Sequence, residues 1–152
     1  MSYTNADGLL ILTNGEAGTP AENGRTAVAA KKNLTVDIDL SKGGQSWRSG
    51  VDAFIPAGSY ITSASLVVKT AAAGGTNVNF GLVKANGDAI DADGIDAAVA
   101  LADLAANKAV ACDGVLVGGT ATVGVDDAYV GIATTGDFTA GQVLLMIEYI
   151  EV

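Results

Sequence analysis

No histidine occurs anywhere in this chain. That removes the commonest general base and metal ligand, and with it every Ser-His or Cys-His nucleophile pair. Cys112 is the only cysteine, which excludes an intrachain disulfide and a cysteine-based zinc site. With nothing to activate its thiol, Cys112 reads as a small core hydrophobe. No apolar run approaches the roughly 18 residues that a spanning helix needs. The opening Met1-Ser2-Tyr3-Thr4-Asn5-Ala6-Asp7 has neither the basic nor the long apolar region of a signal peptide, so cytoplasmic synthesis is the expectation. Two prolines against twenty glycines point to many tight turns made without proline.

Cations are scarce and unevenly placed. Residues 1–76 carry six acidic and six basic groups; residues 77–152 carry eleven acidic groups against Lys84 and Lys108 alone. The whole chain is at −9, all of it from the second half. A phosphate-binding face needs clustered Lys and Arg, so nucleic acid is not an expected partner. The basic groups Arg25, Lys31, Lys32, Lys42 and Arg48 fall in the other half, a polarity that suits docking by a basic end on an acidic surface. The alternative is that the aspartates serve turns and solubility.

What is present is apolar and mostly small. Hydrophobic residues make up 49% and charged residues 16%, the latter well under the usual ~25%, so the chain is a folded one with little charge on its surface. At 152 residues it is long enough for one domain with an ordinary core.

Periodicity gives the architecture. Residues 1–33 lack sustained alternation apart from Leu9-Leu10-Ile11-Leu12, and read as an extended arm or loop whose apolar run must be covered. Residues 34–152 read as one domain. Val36, Ile38 and Leu40 alternate on one face of a strand. Val51–Ile55 follows, then the turn Pro56-Ala57-Gly58-Ser59. Ile61–Thr70 places Thr62, Ala64, Leu66 and Val68 on one face, and Val78–Leu82 returns after Gly74-Gly75 as a hairpin partner. Asn86-Gly87 is a type I′ turn signal. Ile95, Ala98, Val99 and Ala102 repeat at helical spacing, which predicts one short helix over 95–106 with Asp96 and Lys108 complementing its dipole. Short strands are expected at Val115–Val117, Ala121–Val125 and Tyr129–Thr134. Val143-Leu144-Leu145-Met146-Ile147 is apolar on both faces, the mark of a central strand covered by core on one side and by a helix or a subunit on the other. Seven to nine short strands make an all-β antiparallel sandwich, jelly-roll-like in its spacing.

Few residues invite chemistry. Asp88, Asp91, Asp93, Gly94 and Asp96 resemble a calcium loop, yet setting Gly94 at the EF-hand glycine leaves Ala89 and Ala100 where the first and last ligands belong. Capping of the helix by Asp91 or Asp93 is the other reading. Asp126-Asp127 reads as a turn. Trp47, between Ser46 and Arg48, belongs either to the core or a subunit interface, or else forms an exposed anchor or sugar platform. No metal, cofactor or small-molecule substrate is expected, and no enzymatic activity.

Several short stretches together resemble the head decoration (cement) proteins of tailed bacteriophages. They are Ala6-Asp7-Gly8-Leu9-Leu10, Leu34–Leu40, Phe54-Ile55-Pro56-Ala57-Gly58, Val78–Leu82, and Thr139-Ala140-Gly141 leading into Val143–Tyr149. The resemblance implies a β-sandwich on the outer surface of the virion head that binds the major capsid protein, often as a homotrimer, and stiffens the shell by bridging coat subunits. On that basis Leu9, Leu10, Ile11, Leu12, Arg25, Lys31, Lys32 and Arg48 are expected to dock on the shell. Trp47, Leu144 and Met146 are expected at the subunit interface. A phage tail or fibre component and a carbohydrate-binding sandwich remain alternatives.

Overall fold

The structure is a computed structural model that describes residues 2–4, 10–12, 31–42, 46–47 and 54–152, with side chains over 31–42 and 54–152. Two compact units emerge, residues 1–30 and residues 31–152. In the first, β1 (Ser2–Thr4) pairs antiparallel with β2 (Leu10–Leu12), Tyr3 opposite Ile11.

Among its described residues the second unit holds eight strands: β3 (Lys32–Asp39), β4 (Ser46–Trp47), β5 (Tyr60–Gly74), β6 (Asn77–Val83), β7 (Ala89–Ala100), β8 (Ala109–Ala111), β9 (Tyr129–Thr135) and β10 (Phe138–Ile150). They form two four-stranded sheets, β3-β10-β5-β8 and β4-β9-β6-β7. The pairs β3–β10, β4–β9, β5–β8 and β6–β7 are all antiparallel. First pairs with last, second with seventh, third with sixth and fourth with fifth. This is one long four-paired hairpin rolled into a sandwich, which is the jelly roll.

Alternation decides which side chains go in. Leu34, Val36 and Ile38 of β3, Val143, Leu145 and Ile147 of β10, and Leu66 and Val68 of β5 are buried from one sheet. Val78, Phe80 and Leu82 of β6 and Val130 and Ile132 of β9 meet them from the other. Burying each such side chain fully is worth about 1.5–3 kcal/mol relative to exposure. Beyond β3, the Asp39 carboxylate accepts hydrogen bonds from the Ser41 N–H at 3.0 Å and the Ser41 hydroxyl at 2.6 Å. That local turn competes with the ladder and stops the strand.

Several expectations are corrected. Residues 95–106 are not a helix: β7 runs to Ala100 and a 3₁₀ turn covers Leu101–Leu104. Ile95 and Val99 are both buried, and their four-residue separation is one that a strand and a helix share. Phe80 faces Asp96 while Leu82 faces Asp91, and Val78 faces Val99, so extra residues on the β7 side also interrupt the alternation that would have marked a strand. Ala98 takes φ +51, and its N–H is satisfied by the Asn79 side chain at 2.7 Å.

Nor are β5 and β6 a hairpin. Gly74 (φ +73) and Gly75 (φ +58) carry the chain from one sheet into the other, and a Cβ on Gly75 would lie 2.3 Å from the Phe138 ring. Both strands alternate, and alternation does not say which sheet each joins. Thr62 yields the inward position to Ile61, because a register shift lies between Glu148 and Tyr149 of β10.

The Asn86-Gly87 turn does join β6 to β7, but not as type I′, since Asn86 does not have positive φ. The Gly87 N–H bonds the Lys84 carbonyl, the Lys84 N–H bonds the Asp88 carbonyl, and Gly87 has φ +94. That is a type I turn closed by a glycine bulge. Val115–Val117 and Ala121–Val125 are turns and irregular chain, apart from a parallel bridge between Ile61 and Val117. Of Val51–Ile55, residues 51–53 lie outside the described residues, and Ile55 makes only an isolated bridge to Ala128.

Candidate functional site

β10 lies between β3 and β5, the central position expected from its two apolar faces. With Val143, Leu145 and Ile147 in the core, Leu144 and Met146 point away from it and are half-buried. The register sets their neighbours. Leu144 lies between Asp37 and Val67, and Val67 is followed by Ala109; Met146 lies between Thr35 and Ser65, and Ser65 is followed by Ala111. The centre of this outer face is therefore low, smooth and uncharged.

Ion pairs stand around it. Lys69 bonds Asp37 at 2.5 Å, and Lys31 bonds Glu148 at 3.0 Å. Lys32 bonds Glu151 at 2.6 Å at the end of the same sheet. The Thr62 hydroxyl donates to Glu148 at 2.7 Å. That hydrogen bond, followed by Lys31, holds the Glu148 carboxyl below its ordinary pKa.

The structure thus places Lys31, Leu144 and Met146 on one face, with Lys32 at its end. Leu10, Ile11 and Leu12 form β2. Leu9, Arg25 and Arg48 lie outside the described residues, and so does the side chain of Trp47, whose backbone pairs with Val130. Ser65, Val67, Ala109 and Ala111 complete the face and were not singled out from the sequence. For Ser65 and Val67 the signal is the off-beat of the β5 alternation, and for Ala109 and Ala111 that of β8; both become legible only once β8 and β10 are known to flank β5.

The acidic residues do not assemble into a metal site. Among the described residues, no group of three or more His, Cys, Asp or Glu is placed to hold a metal ion. With the helix gone, helix capping goes too. Asp91 instead accepts the Asp93 N–H at 3.4 Å, a long contact, and burial pushes its carboxyl upward in pKa. Asp96 is only 6% exposed; burial, then nearby Asp113, raises its pKa. Burial and Asp96 push the Cys112 thiol up to about 12, so it is not a thiolate at neutral pH. Asp126 and Asp127 divide their work as a turn pair does. Asp126 bonds Lys84 at 2.9 Å, while Asp127 accepts the Ala57 N–H at 3.0 Å.

Two open clefts lie at loops. One of about 410 Å³ is lined by Ser41, Lys42, Thr134, Asp137 and Phe138. The other, of about 340 Å³, is lined by Lys84, Ala85, Asn86, Asp126, Asp127 and Tyr129. Among the described residues, neither lining holds a histidine or a cysteine. The smooth outer face of the β3-β10-β5-β8 sheet is the strongest candidate surface.

No protein-family model matches the sequence, and no curated protein sequence does. Solved structures do share the fold. A chain of the cyanophage Pam1 capsid asymmetric unit aligns with TM-score 0.58 and 18% identity, over 92% of this chain and 98% of that one. A chain of the capsid of Ralstonia phage GP4 aligns with TM-score 0.58 and 16% identity, over 87% of this chain and 92% of that one. At these identities the likeness is one of fold.

Proposed function

We propose that this chain is a non-enzymatic decoration, or cement, protein of a tailed bacteriophage. Made in the host cytoplasm, it binds the outer surface of the head, bridges major capsid subunits and works as a homotrimer. One observation carries the reading: the alignment with a chain of a phage capsid leaves almost nothing over on either side, 92% here and 98% there. Nearly the whole of that capsid chain finds its counterpart in this one, which supports a structural role in the same kind of shell.

The mechanism is binding alone. A subunit that binds the assembled shell and not the dissociated one stabilises it by mass action, about 2.7 kcal/mol per site at a hundredfold excess over Kd. Bridging two coat subunits makes the second contact intramolecular and multiplies that effect. In this reading Leu9, Leu10, Ile11, Leu12 and Arg25, with Lys31, Lys32 and Arg48, face the shell. Lys31 and Lys32 already hold Glu148 and Glu151, so docking exchanges their partners and adds little through them.

The test is co-sedimentation with heads stripped of accessory proteins. The full chain should pellet with heads at a fixed ratio and raise their disruption temperature. A chain lacking residues 1–30 should keep the thermal melt of the 31–152 unit and lose head binding. Full-length protein that never pellets with heads overturns the reading; retained binding by the shortened chain overturns the docking residues.

A further inference from the structure

We propose that Asn86 is a latent deamidation site, and that the turn of residues 84–88, through Asp88, keeps it closed. Opening this one turn commits the chain to an irreversible covalent change where β6 joins β7. The inference holds whatever the chain binds.

The chemistry belongs to the dipeptide Asn86-Gly87. Glycine has no Cβ beside its own nitrogen, so that nitrogen is the least hindered of backbone nucleophiles. It loses its proton to hydroxide and attacks the Asn86 carboxamide carbon. A C–N bond forms there, the bond from that carbon to Nδ2 breaks, and Nδ2 leaves as ammonia. The product is a succinimide. Water then opens either of its carbonyls, leaving an aspartyl or an isoaspartyl linkage at position 86. Asn86 and Gly87 are both exposed, so hydroxide and water reach them freely.

The turn withholds both reactants. The Gly87 N–H is donated to the Lys84 carbonyl at 2.9 Å, so the nucleophile is held by the proton it must lose. Asp88 holds the electrophile at both ends. Its N–H donates to Asn86 Oδ1 at 3.0 Å, and Asn86 Nδ2 donates to its carboxylate at 2.8 Å. Torsion adds a further bar. Ring closure needs the Asn86 Cβ to eclipse the Gly87 nitrogen about the Cα–C bond. At the third position of a type I turn ψ is about 0°, a third of a revolution from that eclipse. Rotating there breaks the Lys84–Gly87 hydrogen bond.

The consequence reaches past the turn. An isoaspartyl linkage runs the main chain through the former side chain and lengthens it by a methylene. The Lys84 N–H bonds the Asp88 carbonyl at 2.8 Å across the same turn, and the longer chain cannot keep that bond together with the Gly87–Lys84 one. Pairing of β6 with β7 begins directly beyond, at Val83 and Ala89. Damage at one exposed residue is therefore passed to the ladder.

The test is peptide mass spectrometry on the full chain aged in mildly alkaline buffer. Digestion separates position 86 from the other Asn-Gly pairs, Asn14-Gly15 and Asn23-Gly24. Deamidation at 86 should be at least about tenfold slower in the native protein than in denaturant, because it waits for the turn to open. Asp88→Ala should raise the native rate about fivefold, measured against its own rate in denaturant. Asp88→Asn, which keeps an acceptor for Nδ2, should stay near the parent. Equal native and denatured rates in the parent overturn the proposal without recourse to any variant. A native rate that ignores Asp88→Ala, or one that rises as much with Asp88→Asn, overturns the role given to Asp88.

Discussion

The Cys112 thiol lies beside the Asp96 carboxyl where the chain leaves one sheet for the edge of the other. Just there the Cys112 N–H bonds the Ala64 carbonyl in β5, and the Gly114 N–H bonds the Ile95 carbonyl in β7. The crossing segment laces the two sheets together along one edge, and the only cysteine and a buried acid sit in the seam.

Replacing Asp96 by Asn should therefore stabilise the protein at neutral pH. The amide keeps the size of the side chain and removes a charge that burial and Asp113 disfavour. A carboxyl whose pKa rises on folding imposes its full penalty above that raised pKa, and the penalty fades as pH falls toward the ordinary aspartate value of about 3.9. Thermal melts of Asp96→Asn should sit a few degrees above the parent at pH near 7 and converge with it at about pH 4. An equal gap at both pH values would mean that the gain is packing and not charge.

Cys112 should be inert in the native state. It is 7% exposed and its thiol is pushed up to about 12, against about 8.5 for a free cysteine. A thiol reagent near pH 8 should label one group per chain in denaturant and almost none before unfolding. Rapid native labelling would place Cys112 outside the seam.

Glu148 behaves in the opposite sense to Asp96. Its pKa is lowered on folding, so its contribution is present above the ordinary glutamate range and is lost as pH falls through the lowered value. Glu148→Gln should melt slightly below the parent at pH 7 and level with it in strong acid, where the parent carboxyl is also protonated. A deficit that persists in acid would trace to packing against Thr62.

Two neighbours in β6 test the sandwich from both sides. Phe80 is fully buried, and Phe80→Ala should cost about 3–5 kcal/mol, a fall in Tm of roughly 10–20 °C. Gly81 is next in sequence and lies on the other face. A Cβ there would sit 2.3 Å from the Asp91 carbonyl oxygen, because the β7 irregularity folds over it. Gly81→Ala should cost about 1–3 kcal/mol by denaturant titration. An unchanged midpoint would show that Asp91 and Ala92 do not lie across Gly81.

How much of this could be read from the chain depended on whether a residue's neighbours are set locally. Leu34, Val36 and Ile38 alternate without interruption, and β3 is where they place it. The two apolar faces of Val143–Ile147 put β10 in the middle of a sheet, and that is its position. Residues 95–106 misled because Ile95 and Val99 recur at four residues, a separation common to strand and helix, and the alanines between and after them mark no face. The pairing of β5 with β10 and β8, and not with β6, depends on partners many residues away. The candidate face divides in the same manner. Leu144 and Met146 are visible in one strand, while Ser65, Val67, Ala109 and Ala111 become neighbours only through long-range register.

The place of β10 also sets the timetable of folding. It follows the other described strands in the chain, yet β3 and β5 have no common partner without it. Until Phe138–Ile150 joins, Leu34 and Val36 have no pairing strand, and Leu66 and Val68 have only the short β8 on one side. Closing a strand against one more than a hundred residues earlier is entropically slow. Pairing of β3 is therefore a late event. Until it happens the free edge of β5 is the point of vulnerability.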